Sequence, residues 1–129
     1  MDLIEHLAER DAAWTQALRA RDQSSVVEYL HDEYALTLVH PVPVVVARDE
    51  WLQTLDDYLI EHWDVRGSNW DVLPTVAAHL QLIDQRANVL GNRRDGLFAI
   101  SDIWLPVEDR WVVWRRHSTP LTAGAMPRR

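Results

Sequence analysis

The sequence predicts a single α+β domain in which three helices pack on a curved antiparallel sheet. Helical periodicity is confined to residues 2–61, strand-forming segments dominate the rest, and no repeat divides the 129 residues. Helices grouped early and strands grouped late favour a helical layer on one face of an antiparallel sheet. We expect one domain at 1–120 and a flexible tail at 121–129.

The first predicted helix covers residues 2–20. At 100° per residue, Leu3, Leu7, Trp14 and Leu18 fall within one narrow arc of its surface. Charged side chains point in other directions. The apolar arc is therefore expected to pack on the sheet.

Two shorter helices are predicted to follow. Ser25–Glu28 has the spacing of a capping box, which indicates a short helix ending near Leu30. Asp49 is a candidate N-cap for a third helix that runs to about Glu61. Four side chains recur after this cap at spacings of three and four: Trp51, Leu55, Leu59 and His62.

Strand-like segments account for the remainder. Tyr34–Val39 is rich in β-formers and is interrupted by Pro41 and Pro43, which cannot donate to a ladder. Val44–Val46 follows as a second short strand, and 67–69 is expected to be a loop. Four later strands are predicted at 70–83, 86–91, 96–105 and 110–118.

Composition restricts the class of protein. Thirteen Lys and Arg against twenty Asp and Glu give a net charge of −7, which argues against nucleic-acid and membrane partners. Neither a signal peptide nor a run of ~18 apolar residues is found, so a cytoplasmic location is expected. The lack of cysteine, of phosphate-binding glycine motifs and of paired histidine spacings predicts no cofactor and no metal.

The strand before the last turn carries the main candidate residue. If Asp102 faces inward, then so do Phe98, Ile100 and Trp104, because side chains alternate across a sheet. A carboxyl group in that apolar row is either paired with a cation or driven towards its neutral form. Asp102 is thus either an acid in a pocket or the partner of Arg116 in an ion pair.

The last strand and the first strand end add further candidates. The turn at 106–109 is expected to place Trp114 opposite Asp102, with Arg116 in diagonal reach. His40 lies at a strand end and changes charge near neutral pH; His79 and His117 are secondary candidates. Bulky aromatic and apolar side chains are predicted to form the ligand-binding wall: Trp14, Phe98, Ile100, Trp104 and Trp114.

Two parts of the chain resemble NTF2-like domains of the SnoaL and DUF4440 kind. The first is the helical stretch Trp14–Asp22 with the acidic and aromatic segment Tyr29–Tyr34 that follows it. The second is the closing strand pair, Phe98–Trp104 and Arg110–Ser118. The likeness spans about residues 2–120.

This resemblance implies a cone-shaped barrel, open at one end, whose mouth or interior holds a small apolar molecule. We further expect the first helix to pack across the mouth. Family members include isomerases, cyclases, dehydratases and epoxide hydrolases, as well as domains without known activity. In a comparison with ketosteroid isomerase, Trp14 falls at the position of a Tyr, His40 at that of the base and Asp102 at that of a neutral Asp.

Two functions follow as expectations. The first is a cofactor-free enzyme that performs acid–base chemistry on an apolar molecule with His40, Asp102 and Arg116. The alternative is a non-catalytic domain that binds a small ligand or serves as a dimeric scaffold.

The outer face of the late strands is expected to form a homodimer interface. Similar domains often pair through this sheet, and the exposed apolar patch would otherwise be large for a monomer. Its predicted members are Leu97, Ala99, Ile103, Trp111 and Val113.

Overall fold

A computed structural model describes residues 2–39 and 42–121 of the chain. The helices are α1 (Leu3–Ala20), α2 (Gln23–Val26) and α3 (Arg48–Gln53). The strands are β1 (Leu30–Leu38), β2 (Val44–Ala47), β3 (Tyr58–Leu73), β4 (Val76–Val89), β5 (Asn92–Arg93), β6 (Gly96–Val107) and β7 (Arg110–Pro120). The predicted tail, apart from residue 121, and His40 lie outside the described residues.

The sheet is mixed, so the predicted antiparallel sheet needs a correction. Its order is β2-β1-β7-β6-β4-β3, and β5 pairs with β4. β1 runs parallel to β7, while the other neighbouring pairs are antiparallel. The sheet curls around α1, whose inner side chains share one core with the sheet.

α1 forms where its periodicity predicts. The Asp2 side chain accepts a hydrogen bond from the Glu5 N–H at 2.8 Å, which caps the first turn. Arg21 ends the helix in the left-handed conformation (φ 56°). The predicted apolar arc is the buried face, with Leu7 and Trp14 fully enclosed. None of the helices in the described part of the chain is long and apolar enough to cross a membrane.

The structure has two substantial N-terminal helices, not the three predicted. α2 is a single turn continued by a 3₁₀ turn at Val27–Tyr29. α3 ends at Gln53 instead of reaching Glu61. From Tyr58 to Leu73 the chain forms β3, which pairs with β4 along nearly the whole length of both strands. This pairing overrides the helical spacing of Leu55, Leu59 and His62.

β3 and β4 form one long hairpin in the segment where sequence patterns predicted a loop and shorter strands. The hairpin turns at Pro74-Thr75, where a proline needs no ladder partner. The predicted loop around Gly67 is a shift in strand register instead. The predicted break at residues 84–85 is absent, because Gln85 continues the buried row of β4.

Alternation along β6 is confirmed. Phe98, Ile100, Asp102 and Trp104 are all buried, whereas the residues between them are partly exposed. On β4 the buried row is partly polar and contains His79, Gln81 and Gln85. The inner surface of the sheet therefore combines apolar packing with hydrogen-bonding groups.

A bulge in β7 changes which of its side chains face inward. Asp102 pairs with Arg116 but Trp104 pairs with Val113, so Trp114 is the extra residue. The predicted placement of Trp114 opposite Asp102 was therefore wrong. Trp114 is half-buried, lies outside both core clusters and stacks against the Arg115 guanidinium at 4.1 Å.

The same bulge corrects the predicted outer patch. Val113 is fully buried in the core, and Trp111 packs against that core, so neither belongs to the outer face. The outer apolar side chains of β4 and β6 include Leu80, Leu82, Leu97, Ala99 and Ile103.

We expect this corrected outer face to pair two copies of the chain. Wild-type protein should then scatter light as a particle of twice the 15.0 kDa chain mass. Ile103→Lys should give monomers, because a charged side chain buried within an apolar interface is costly. Leu73→Lys, at the tip of the β3–β4 hairpin, is the control and should leave the mass unchanged. A monomeric wild type at micromolar concentration would refute the interface.

Candidate functional site

A buried ion pair joins β6 to β7. Arg116 Nε donates to Asp102 Oδ1 at 2.7 Å, and Arg116 Nη2 donates to Asp102 Oδ2 at 2.9 Å. Asp102 is 0% exposed and Arg116 is 6% exposed. Since both carboxylate oxygens accept from the guanidinium, the geometry favours the ion-pair interpretation of Asp102 over the free-acid one.

Aromatic side chains enclose this pair from the helical side. The Arg116 guanidinium lies 4.0 Å from the Trp14 ring, and Trp14 packs edge-on against Tyr34 and Trp104. Burial lowers the pKa of Arg116, but the adjacent Asp102 carboxylate more than compensates and the pKa is raised overall. Arg116 therefore carries its charge inside the domain.

A second polar pair, Asp11 and His79, lies beside the first. His79 Nδ1 is 3.8 Å from Asp11 Oδ1, and His79 Nε2 shares a hydrogen bond with Ser68 Oγ at 2.7 Å. The Trp70 ring stacks on the imidazole at 3.8 Å and so fixes its plane. His79 is also directly across from Asp102 in the β4–β6 ladder.

Sequence reasoning did not select Asp11, although a signal was present. Asp11 follows Leu7 by four residues and precedes Trp14 by three, so it lies on the buried arc of α1. A carboxyl group on that arc has to meet the interior of the sheet. Its partner His79 was only a secondary candidate.

The environment separates the pKa values of the two groups. Burial, helped by the nearby Asp102 charge, raises the pKa of Asp11 to about 7. Burial, together with the Arg116 charge, lowers the pKa of His79 to about 4. Between these pH values the pair holds one proton, which resides on Asp11, while the imidazole is neutral.

The arrangement does not fit a resident zinc ion. Asp11, His79 and Asp102 offer ligand atoms within 4.8 Å of one another. The Asp102 oxygens, however, are already bound by Arg116, which leaves two free ligands and a fixed positive charge nearby. Zinc sites use at least three protein ligands.

Several buried polar atoms find no hydrogen-bond partner among residues 2–39 and 42–121. Such groups are rare in native proteins and cost about 1–3 kcal/mol each. Most belong to residues around the ion pair, and of the whole set only Arg94 lines the mouth pocket described below. The atoms are Asp11 Oδ1, Trp14 Nε1, Tyr34 Oη, His79 Nδ1, Gln81 Nε2, Arg94 Nη2 and Trp104 Nε1.

Two cavities lie along the sheet interior. The inner cavity, of about 20 Å³, has Arg116 and Ser118 in its wall and holds one water-sized group. The mouth pocket, of about 140 Å³, opens between α3 and the ends of β1, β3 and β4. Leu36, Trp51 and Tyr58 line both of them.

The predicted site residues are therefore only partly brought together. Ile100 and Arg116 line the inner cavity, whereas Trp14 and Trp104 belong to the core between α1 and the sheet. Phe98 packs in the smaller core cluster with Ile100. Trp114 lies outside both clusters, and the predicted role of His40 as a base stays a prediction, because that residue is outside the described part.

The comparisons with known proteins identify the fold. No family model and no curated protein matches the sequence. An NTF2-like protein from Cytophaga hutchinsonii superposes with a TM-score of 0.87 at 13% identity, covering 94% of this chain and 100% of that one.

Two further solved structures carry enzyme names. A proposed dehydratase of the NTF2-like family from Streptomyces avermitilis gives a TM-score of 0.71 at 16% identity, with 93% and 97% coverage. A proposed ketosteroid isomerase from Parabacteroides distasonis gives 0.67 at 11%, with 93% and 89% coverage. The chain has the NTF2-like fold, as the resemblance predicted; the finer likeness to the SnoaL kind stays a prediction.

Replacing Asp11 should remove a loss of folding stability that grows as the pH rises. Because the pKa of Asp11 is about 7 when folded and about 3.9 when unfolded, the unfolded state binds fewer protons between these values. This group therefore lowers stability progressively from about pH 4 to pH 7. Asp11→Asn should match wild type most closely near pH 4 and gain on it up to about pH 7.

Urea unfolding at pH 5, 6, 7 and 8 measures this difference. The His79 contribution runs the other way, rising with pH between about 4 and 6.5, because its folded pKa is lowered. Comparison with wild type at each pH isolates Asp11. Asp32→Asn, at a side chain 97% exposed, is the control, and a pH-independent difference for Asp11→Asn would contradict the assignment.

Proposed function

We propose that the protein binds a small, largely apolar molecule in the mouth pocket. The observation that supports this is a pocket of about 140 Å³ whose walls are mostly apolar and which adjoins a second cavity leading to Arg116. Small-molecule sites are concave and mostly apolar with a few polar groups, and the volume of this one suits a ligand smaller than a drug-sized molecule. The apolar walls include Leu36, Leu38, Val46, Trp51, Val89 and Leu90.

The boundary between the two cavities supplies the first polar contact. Tyr58 lines both, and burial raises the pKa of its hydroxyl, so it stays protonated and can donate a hydrogen bond. Beyond it, Arg116 uses Nε and Nη2 for Asp102, which leaves Nη1 as its nitrogen for a ligand. A ligand oxygen directed inward would meet these groups in turn.

Filling the pocket should weaken binding. Val46→Trp places an indole in the pocket wall, and we expect it to weaken binding of 1-octanol at least tenfold, about 1.4 kcal/mol. Amide NMR shifts report the site and the affinity, and in wild type they should centre on Leu36, Val46 and Trp51. The neighbouring Val45→Trp, at a residue 65% exposed, is the control. Unchanged affinity in Val46→Trp would place the ligand elsewhere.

Cofactor-free acid–base catalysis is a second candidate, favoured by the Asp11–His79 pair. A carboxyl with a pKa of about 7 is suited to give up and take back a proton near neutral pH, and the imidazole beside it, with its pKa lowered to about 4, stays neutral there. Arg116 supplies positive charge for an oxygen that becomes negative. Isomerisation, dehydration, cyclisation and epoxide opening all need such proton transfers, and two similar folds carry enzyme names of this type.

Variants of the pair should separate catalysis from binding. Wild type would be assayed against small epoxides, enones and hydroxy-ketones, together with Asp11→Asn, His79→Gln and the predicted base variant His40→Ala. Loss of a general acid or base typically lowers turnover by about 10²–10⁴-fold. We expect that loss in the first two variants, with octanol binding retained. Full turnover in both would leave ligand binding as the sole function.

A further inference from the structure

Of the two charged side chains that line the mouth pocket, Arg94 is partly buried and Glu50 is exposed. The Arg94 N–H donates to the Ala87 carbonyl at 2.9 Å, and its own carbonyl accepts from Gln85 Nε2 at 2.8 Å. Its guanidinium lies 4.8 Å from the Phe98 ring. The residue therefore has a fixed backbone and a fixed side-chain plane in the pocket wall.

One nitrogen of the guanidinium lacks an acceptor in the described part of the protein. Arg94 Nη2 is buried and has no hydrogen-bond partner in the described ranges. Burial lowers the pKa of Arg94, although an arginine keeps its charge in proteins. A buried N–H donor without an acceptor is destabilising, and a ligand that supplies the acceptor removes this cost.

The neighbouring residue Arg93 differs from Arg94 in having acidic partners in the described part of the chain. Arg93 is exposed and is paired with both Glu61 and Asp95. The acidic side chains near this turn are thus engaged by Arg93 and not by Arg94. Glu50 also lines the mouth pocket, but its side chain is exposed at the rim.

We propose that the mouth pocket takes a small monocarboxylic acid, with its carboxylate bound by Arg94 and its apolar tail against the pocket walls. A planar guanidinium matches a carboxylate through two parallel hydrogen bonds. Glu50 at the rim disfavours a second negative charge. The volume of about 140 Å³ encloses roughly six carbons of the tail, by comparison with the ~150 Å³ cavity that binds benzene, and the rest of a longer tail lies at the open mouth. This inference rests on the proposed function of the mouth pocket and names the class of ligand that the pocket binds.

A matched pair of ligands tests the inference. Octanoate and 1-octanol share a tail and differ in charge, so their affinity ratio at pH 7 isolates the carboxylate. Wild type should bind octanoate at least tenfold more tightly than octanol, with NMR shifts at Arg94 and Val46. Arg94→Gln should lose this preference and keep octanol binding. Arg93→Gln should retain both affinities.

Each outcome is decisive. Equal affinities of wild type for the two ligands would overturn the carboxylate inference and leave the pocket in place. Binding of neither ligand would overturn the proposed function and this inference with it. Octanoate shifts centred on a surface away from the pocket would also overturn it. If Arg94→Gln fails to fold, Arg94→Lys serves instead: it keeps the charge but loses the two-point contact, so the preference should fall without vanishing.

Discussion

The buried ion pair between Asp102 and Arg116 holds the layers of this fold together. It links β6 to β7 through two hydrogen bonds, and the Arg116 guanidinium makes a cation–π contact with the Trp14 ring of α1. Burying both charges is costly, and the cost is offset only because the hydrogen bonds and the aromatic face are all in place. The bulge at Trp114 serves the same end, since it keeps Arg116 and Val113 both on the inner face.

The pair also sets the electrostatics of its neighbours. Burial is the first cause of the raised pKa of Asp11, and the Asp102 charge adds to it. For His79 burial again leads, with Arg116 acting in the same direction and Asp102 against it. The proton therefore rests on a carboxyl instead of an imidazole, the reverse of the order in water. Because of this inversion, the carboxyl of the Asp11–His79 pair can exchange a proton near neutral pH.

Arg116 and Arg94 both line cavities of the sheet interior, but they differ in their protein partners. Arg116 is satisfied by Asp102, whereas Arg94 lines the mouth pocket with a buried nitrogen unpaired within the described residues. Charge that the fold already neutralises stabilises the domain. Charge that it leaves without an acceptor favours a ligand that brings one, which is why the mouth pocket is the more informative site.

Local periodicity by itself determined the α+β class, the buried face of α1 and the inward row from Phe98 to Trp104, because each depends only on neighbours along the chain. Asp11 could have been read from the same helical arc. Tertiary structure decided four other features. These are the pairing of Asp11 with His79, the strand at 58–73, the parallel contact of β1 with β7 and the bulge at Trp114. Each of these features depends on contacts between different segments of the chain. The free energy that favours them comes from packing between those segments, which the pattern of one segment does not reveal.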